Sequence, residues 1–283
     1  MKQMRHHLQS IIKEKNEYFY LLTVIERFLL RIKKEHDIHN IKELENHLIE
    51  EVKEESSEVH IKHQLEFIKI VKEFVEAFDL ARIAHKDQKR KGGEDYIVHP
   101  ISACLNEIYH QEEETHFFNE NTIISALLHD TLEDTSTSHK EIYDKFGLKV
   151  AQIVENLTDH PQWERWHKEG HLTKLEESAL QFVNASKLDE SLDVKFDDRL
   201  DNLETIDAMP EQKIVEKIID TLCVGYIERA LELKEYKFLK VLKKCTDQYL
   251  TQEMVKKYYG NDLAITSLVE KGRVKIKNIL KSL

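Results

Sequence analysis

Apolar residues recur at helical spacing along most of this chain. In "YFYLLTVIERFLLRI", Phe19, Leu22, Ile25, Phe28, Leu29 and Ile32 fall on one stripe of a helix. Glu26 and Arg27 interrupt the run, and a membrane span needs about 20 mostly apolar residues. The stripe therefore predicts an amphipathic helix that packs within the protein or against a second copy. A second stripe begins near Gln64, where Phe67, Ile68, Val71, Phe74, Val75, Phe78 and Ala81 mark the buried side. Between the two stripes, "EEVKEESSEVHIKH" is charged and predicts a bend or linker, so residues 1–63 read as a helical extension.

Punctuation along the rest of the chain predicts further helices. In "AHKDQKRKGGEDYIVHP", the Gly92-Gly93 pair is expected to stop the preceding helix. His99-Pro100 is expected to start the next, because proline is tolerated in a first helical turn. In "STSHKEIYDKFG", Ser138 and Glu141 have the spacing of a capping box and Gly147 reads as a stop. Residues 158–171, "TDHPQWERWHKEGH", show no clean period and are expected to form a loop. Helices are expected at about 173–187 and 192–206, and again beyond Pro210 to the end. With 7 Gly and 3 Pro in 283 residues, the chain is expected to be all-α.

Charge removes one class of partner. A formal net charge of -11 argues against a surface that coats nucleic acid, which needs Lys and Arg to displace counterions from phosphate. Any phosphate-bearing ligand must be held locally. Cys104, Cys223 and Cys245 are odd in number and too far apart for zinc-type pairs, so a reducing, cytoplasmic setting is expected.

The segment "ALLHDTLEDT", residues 126–135, ends an apolar face in His129, Asp130, Glu133 and Asp134, groups that are costly to desolvate unless something binds them. On a helix, His129 and Glu133 are four apart, as are Asp130 and Asp134. Two explanations stay open on local sequence: a divalent cation, or a buried ion-pair network with Lys or Arg from another helix. Another His-Asp dipeptide, His36-Asp37, sits among Lys and Glu and reads as a solvated helix end. His99 closes "YIVHP" at a helix start. In "DVKFDDRLDNLETI", Asp198 and Asn202 share a helical face, with Val194, Phe196, Leu200 and Leu203 in packing positions. Mixed imidazole and carboxylate donors of this kind suit an octahedral Mn²⁺ or Fe²⁺ site with positions left for water.

"RKGGEDYIVHP", "ALLHDTLEDT" and "DVKFDDRLDNL", in that order, resemble the HD-superfamily hydrolase domains of RelA/SpoT-type enzymes, and especially the stand-alone small alarmone hydrolases. Those domains carry R-K-x-G-x-x-Y-I-x-H-P, then H-D-x-x-E-D-T, then K-L-A-D-[KR]-x-x-N-[LM]. The likeness covers roughly residues 70–232 and implies an all-α HD-domain helical bundle at 64–235, with helical extensions at 1–63 and 236–283. It implies a metal, usually Mn²⁺ and one per subunit, held by His99, His129, Asp130 and Asp198. Glu133 and Asp134 match the catalytic acid pair. Arg90 and Lys91 match a basic pair expected to meet a diphosphate, and Asn202 an asparagine near the sugar. Tyr96 and Lys174 are weaker substrate-binding assignments, Lys217 is weaker still, and His85 matches a frequent family histidine expected to be structural.

The implied activity is the stringent-response reaction that removes the 3′-diphosphate from (p)ppGpp, giving GDP or GTP and diphosphate. Alternatives are an HD-type phosphatase acting on another phosphorylated nucleotide such as NADPH, and an inactive HD sensor module. The tail after the HD region lacks the glycines of the family's synthetase domain, so hydrolysis alone is expected. Expected partners are a phosphorylated nucleotide and a second copy through the N-terminal helices, with no nucleic acid and no membrane. The sequence departs from the family pattern at Asp95, Phe196-Asp197, Asp201 and Glu204, and the last two are expected to add negative charge near the phosphate pocket.

Overall fold

The structure, a computed structural model, describes residues 2–35, 41–54, 63–115 and 117–282. His36-Asp37 and residues 55–62 of the expected linker lie outside the described residues. Among those described, regular structure is helical apart from one isolated bridge between Lys89 and Asp95, in agreement with the all-α expectation. No described helix is long and apolar enough to cross a membrane. The chain divides into two compact units, Met1–Asp87 with Tyr96–Ala151, and Gln88–Asp95 with Gln152–Leu283.

The first unit contains α1 (Lys2–Glu35), α2 (Ile41–Glu54), α3 (Gln64–Ala84), α4 (Val98–Tyr109), α5 (Glu120–Leu128), α6 (Thr131–Asp134) and the first part of α7 (His139–Leu157). A π-helical turn, His110–Thr115, extends α4. α3 packs on α2 and α5, and α4 packs on α5 and α1. The two sequence stripes meet here: Phe28 of α1 stands edge-on to Phe74 and Phe78 of α3, with ring centroids 5.8 and 5.7 Å apart. Leu22, Ile25, Phe28, Leu29 and Ile32 are buried, so the α1 stripe is covered inside its own unit.

Gly92-Gly93 does not end α3, which stops at Ala84, where the apolar positions run out: after it His85 is buried, but "HKDQKRK" holds no apolar side chain. The pair instead closes a tight turn. Arg90 N–H donates to the Glu94 carbonyl at 2.8 Å and Gly93 N–H to the Arg90 carbonyl at 2.9 Å. Gly93 has φ +93, which a side chain would strain. At α7, Ser138 Oγ accepts from Glu141 N–H at 3.2 Å, and Gly147 breaks the helix at φ 80 before it resumes.

The second unit contains the end of α7, then α8 (Pro161–Lys168), α9 (Lys174–Ala185), α10 (Asp189–Glu204), α11 (Glu211–Cys223), α12 (Tyr226–Glu232), α13 (Tyr236–Tyr249), α14 (Gln252–Tyr259) and α15 (Leu263–Ser282). Its centre is aromatic: Phe196 and Tyr226 both contact Phe238, at 4.8 and 5.8 Å, and Phe182 lies 4.6 Å from Tyr226. α11 packs on α12, α13, α14 and α15, and Gly272 of α15 brings that helix against Leu222.

α8 corrects the expectation of a loop at 158–171. Two helical turns are too short to display a period. Their start is set locally, by Pro161 in the first turn and His160 Nδ1 accepting from Gln162 N–H at 3.2 Å. α10 begins at Asp189, three residues before the sequence expectation.

Replacing Phe74, fully buried against Phe28, with Ala is expected to cost about 3–5 kcal/mol. Equilibrium urea unfolding checks this, and a loss below about 1 kcal/mol would remove the α1–α3 contact from the core of this unit.

Candidate functional site

In the first unit the site is built where α5 ends. Every residue of α5 from Thr122 to Leu128 is buried, and Asn119 caps its start by accepting from Asn121 N–H. His129 and Asp130 interrupt the helix, which resumes for one turn as α6. Both keep right-handed backbone angles, and Asp134 N–H still donates to the Asp130 carbonyl at 2.9 Å, so the four-residue spacing survives the break. Hydroxyls occupy carbonyls around it: Thr131 Oγ1 donates to Leu128 O and Thr135 Oγ1 to Thr131 O, both at 2.6 Å.

His99, the second residue of α4, and His129 are each 4% exposed. His129 Nδ1 lies 2.8 Å from the Ala126 carbonyl. A carbonyl only accepts, so Nδ1 holds the ring proton and Nε2 presents a lone pair. That Nε2 is 3.2 Å from His99 Nε2 and 3.0 Å from Asp130 Oδ2, and His99 Nε2 is 3.5 Å from the same oxygen. Three donor atoms thus converge on one point.

Tyr96 orders the carboxylates beside them. Its hydroxyl lies 2.6 Å from Asp130 Oδ2 and 3.3 Å from Asp134 Oδ2, and its single proton serves the closer oxygen. The ring stacks on His85 at 4.7 Å and meets His99 edge-on at 5.8 Å. Burial, and next the charge of Asp130, push the Asp134 pKa up. Glu133 is exposed on the same turn.

The other expected residues belong to the second unit. On α10, Asn202 Nδ2 donates to Asp198 Oδ1 at 2.5 Å and to the Asp198 carbonyl at 2.9 Å, while Lys195 Nζ lies 3.6 Å from Asp198 Oδ2. Val194, Phe196, Leu200 and Leu203 are buried around them, as their spacing predicts. Arg90 is committed to protein partners: one Nη donates to Asp201 Oδ2 at 2.5 Å and the other to Thr205 Oγ1 at 2.8 Å. Lys91 is exposed. Lys174 pairs with Glu177 on its own helix at 2.8 Å.

Two sequence expectations change here. Asp201 is neutralised by Arg90, and Glu204 lies 3.5 Å from Lys237, so these departures do not leave bare negative charge. Lys195 and Arg199 were missed, although Lys195 stands one helical turn before Asp198 and that spacing is a readable signal. Lys217 gains weight. Burial, and then the Arg199 charge, bring its pKa down to about 7, with Lys195 and Lys91 adding to the effect. Burial opposes the charge on Lys195 as well, but Asp198 and its other neighbours hold that pKa above the ordinary lysine value.

The family described as HD domain matches residues 77–222. Among curated proteins, the guanosine-3′,5′-bis(diphosphate) 3′-pyrophosphohydrolase of Aquifex aeolicus is 37% identical over 144 residues, 50% of this chain and 19% of its own length. The GTP pyrophosphokinase of Myxococcus xanthus is 28% identical over 197 residues, 65% of this chain and 24% of its own. This chain therefore spans about a fifth to a quarter of these relatives. A solved structure titled as a metazoan ortholog of SpoT that hydrolyzes ppGpp is similar at 23% identity and a TM-score of 0.41, over 74% of this chain and 94% of that one.

Arg90→Met leaves Asp201 buried without its cation and is expected to destabilise the protein by about 3–5 kcal/mol, while the double variant with Asp201→Asn recovers much of the loss. Urea unfolding of the two variants reads this directly. A neutral Arg90→Met would release the arginine from its structural assignment.

Proposed function

Because this chain belongs to the HD-domain family, we propose that it is a metal-dependent phosphohydrolase that removes the 3′-diphosphate from (p)ppGpp or a close relative. The carrying observation is the facing pair of buried imidazoles, His99 and His129, with the Asp130 carboxylate beside both. HD domains bind divalent metals. The donor set fits one: the Ala126 carbonyl fixes the His129 tautomer with Nε2 as the ligand atom, which is how metal-binding histidines are oriented. The proposed ion is Mn²⁺, one per subunit, with Asp198 as the fourth ligand on the strength of the motif it occupies. The catalytic segment is proposed to run through 64–235, with 1–63 and 236–283 as helical extensions.

The ion supplies Lewis acidity toward a phosphoryl oxygen and lowers the pKa of water. The side chains do the rest. Glu133, exposed on α6, orients the attacking water and takes its proton. Asp134, with its raised pKa and its link to Tyr96, passes that proton toward the departing ribose 3′ oxygen as the P–O3′ bond breaks, and the water oxygen leaves on the diphosphate. Asn202 is a positioning residue, because both of its bonds hold Asp198. Lys195, Arg199 and Lys217 offset the diphosphate charge, and Lys91 adds an exposed cation. Arg90 acts on substrate with the donors that Asp201 and Thr205 leave over, two of its five N–H groups being engaged. Guanine nucleotides are the favoured class because the Aquifex aeolicus relative is named for that hydrolysis.

Purified chain incubated with Mn²⁺ and ppGpp, pppGpp, ppApp or NADPH is expected to release diphosphate from the guanosine compounds fastest. Orthophosphate from NADPH would move the assignment to a nucleotide phosphatase, and no turnover of any of them would leave a sensor. Glu133→Gln is expected to lower kcat about 100-fold or more with metal content unchanged, whereas His129→Ala loses the metal as well.

Lys217 gives a pH signature. Its native pKa of about 7 lies below its unfolded value, so the charged form penalises the fold fully below pH 7, and the penalty fades as pH rises toward the unfolded pKa. Lys217→Met is therefore expected to melt higher than the parent at pH 6, with the difference shrinking by pH 9. A diphosphate bound against Lys217 raises its pKa, so calorimetry in buffers of different ionisation enthalpy is expected to show proton uptake at pH 8 that the variant lacks.

A further inference from the structure

We propose that Glu107 and Gln111 are positioning residues for the histidine pair: they set the register of α4 against α5 and, through it, the separation of His99 and His129. The proposal rests on the metal centre proposed above and extends it to residues about two helical turns away. α4 and α5 run antiparallel, since His99 at the start of α4 meets His129 just past the end of α5, and Glu107 near the end of α4 meets Thr122 near the start of α5. Eight residues separate the two contact points on α4 and seven on α5, lengths of about 10–12 Å. A helix is stiff over that span, so what fixes one end along the axis fixes the other.

The far contact is a closed polar network. Glu107 is 1% exposed, and its Oε1 accepts from Gln111 Nε2 and from Thr122 Oγ1, both at 2.5 Å. The second Gln111 Nε2 proton goes to the Asn119 carbonyl at 3.0 Å, and Gln111 Oε1 accepts from Asn119 N–H at 2.9 Å. Asn119 caps α5 and Gln111 belongs to the π-helical turn, so one amide side chain clamps both ends of the connection between the helices. Midway, Cys104 Sγ lies 3.6 Å from the Ile123 carbonyl, and Ala103 and Ala126 are fully buried. Side chains this small make shallow ridges that interlock weakly.

Stability does not explain Glu107. Its Oε2 is buried without a hydrogen-bond partner. A half-satisfied buried carboxylate is costly, and an apolar side chain of similar size in its place is commonly neutral or stabilising. What the network supplies is specificity: its bonds form in one register only, whereas small apolar side chains pack nearly as well after a short slide. A metal site is where such a slide matters, because ligand distances hold to about 0.2 Å. Glu107 and Gln111 thus act on the ion through the relative position of the two imidazoles.

The test compares the full chain with three variants: Glu107→Leu, which removes the acceptor, Glu107→Gln, which keeps it, and Thr122→Val, which removes one donor with little change of shape. NMR of the metal-free chains follows the His99 and His129 imidazoles, calorimetry reads Mn²⁺ affinity, and circular dichroism reads the melting temperature. Glu107→Leu is expected to melt no lower than the parent, yet to show doubled or broadened imidazole signals and to bind Mn²⁺ about tenfold or more weakly. Glu107→Gln is expected to stay within about threefold of the parent, with Thr122→Val between the two. Parental imidazole signals and Mn²⁺ affinity in Glu107→Leu would overturn the proposal. So would a Glu107→Gln chain as weak as the leucine variant, or weakening matched in every variant by a lowered melting temperature. If the parent itself binds no Mn²⁺, the metal centre fails, and the imidazole signals of the metal-free chains still decide whether Glu107 sets the register.

Discussion

Two buried imidazoles whose Nε2 atoms face one another at 3.2 Å impose the constraint on which the rest of the first unit depends. Two nitrogen lone pairs cannot share that space without a proton or a cation between them, and the Asp130 carboxylate beside both favours positive charge there. α4 and α5 are positioned to meet this demand, packed on each other with their termini bringing His99 and His129 together. The interruption of the helix at His129 and Asp130 belongs to the same design. It carries Asp130 to within reach of Tyr96, so that a hydroxyl and a carboxylate, rather than two bare carboxylates, adjoin the imidazoles.

In the second unit the governing quantity is the neutralisation of charge. Asp201 would be unaffordable alone at 3% exposure, and Arg90 offsets it from a turn more than a hundred residues earlier. Asp198 is flanked by Lys195 and held by Asn202. Lys217 then stands buried among like charges, and burial first and the Arg199 charge next depress its pKa. A strongly acidic chain has in this way gathered a local concentration of cations, which is what binding a polyphosphate requires.

The legibility of the elements followed from how much each one buries. α3 was readable from Gln64 onward because six of the seven apolar positions read there are buried, Ile68 being half-buried while Ile70 and Ala77 are buried in addition. α10 was readable because Val194, Phe196, Leu200 and Leu203 pack where periodicity puts them. α8 was not, since two turns held by a proline and a histidine cap carry no period. The Gly92-Gly93 turn was recognised as a break and assigned to the wrong element, because composition marks a turn without saying how far upstream the helix has already ended. The residues of the candidate site were legible as motifs, and their individual partners were not. Arg90 read as a phosphate contact and is bonded to Asp201 and Thr205; Tyr96 read as a weak substrate-binding assignment, and its hydroxyl donates to Asp130 with Asp134 3.3 Å away.

The sequence by itself determined the all-α class, most of the buried positions of α1 and α3, and where the imidazole and carboxylate motifs fall along the chain, because spacing along one helix is a local property of the chain. Only the tertiary structure decided which ring nitrogen of His129 carries the proton, that Asp201 is paired, and that Lys217 titrates near neutrality. The last two depend on an electrostatic partner distant in sequence or on the exclusion of water, and desolvation exists only once the helices have packed; the first depends on which way the buried ring turns toward the Ala126 carbonyl three residues before it.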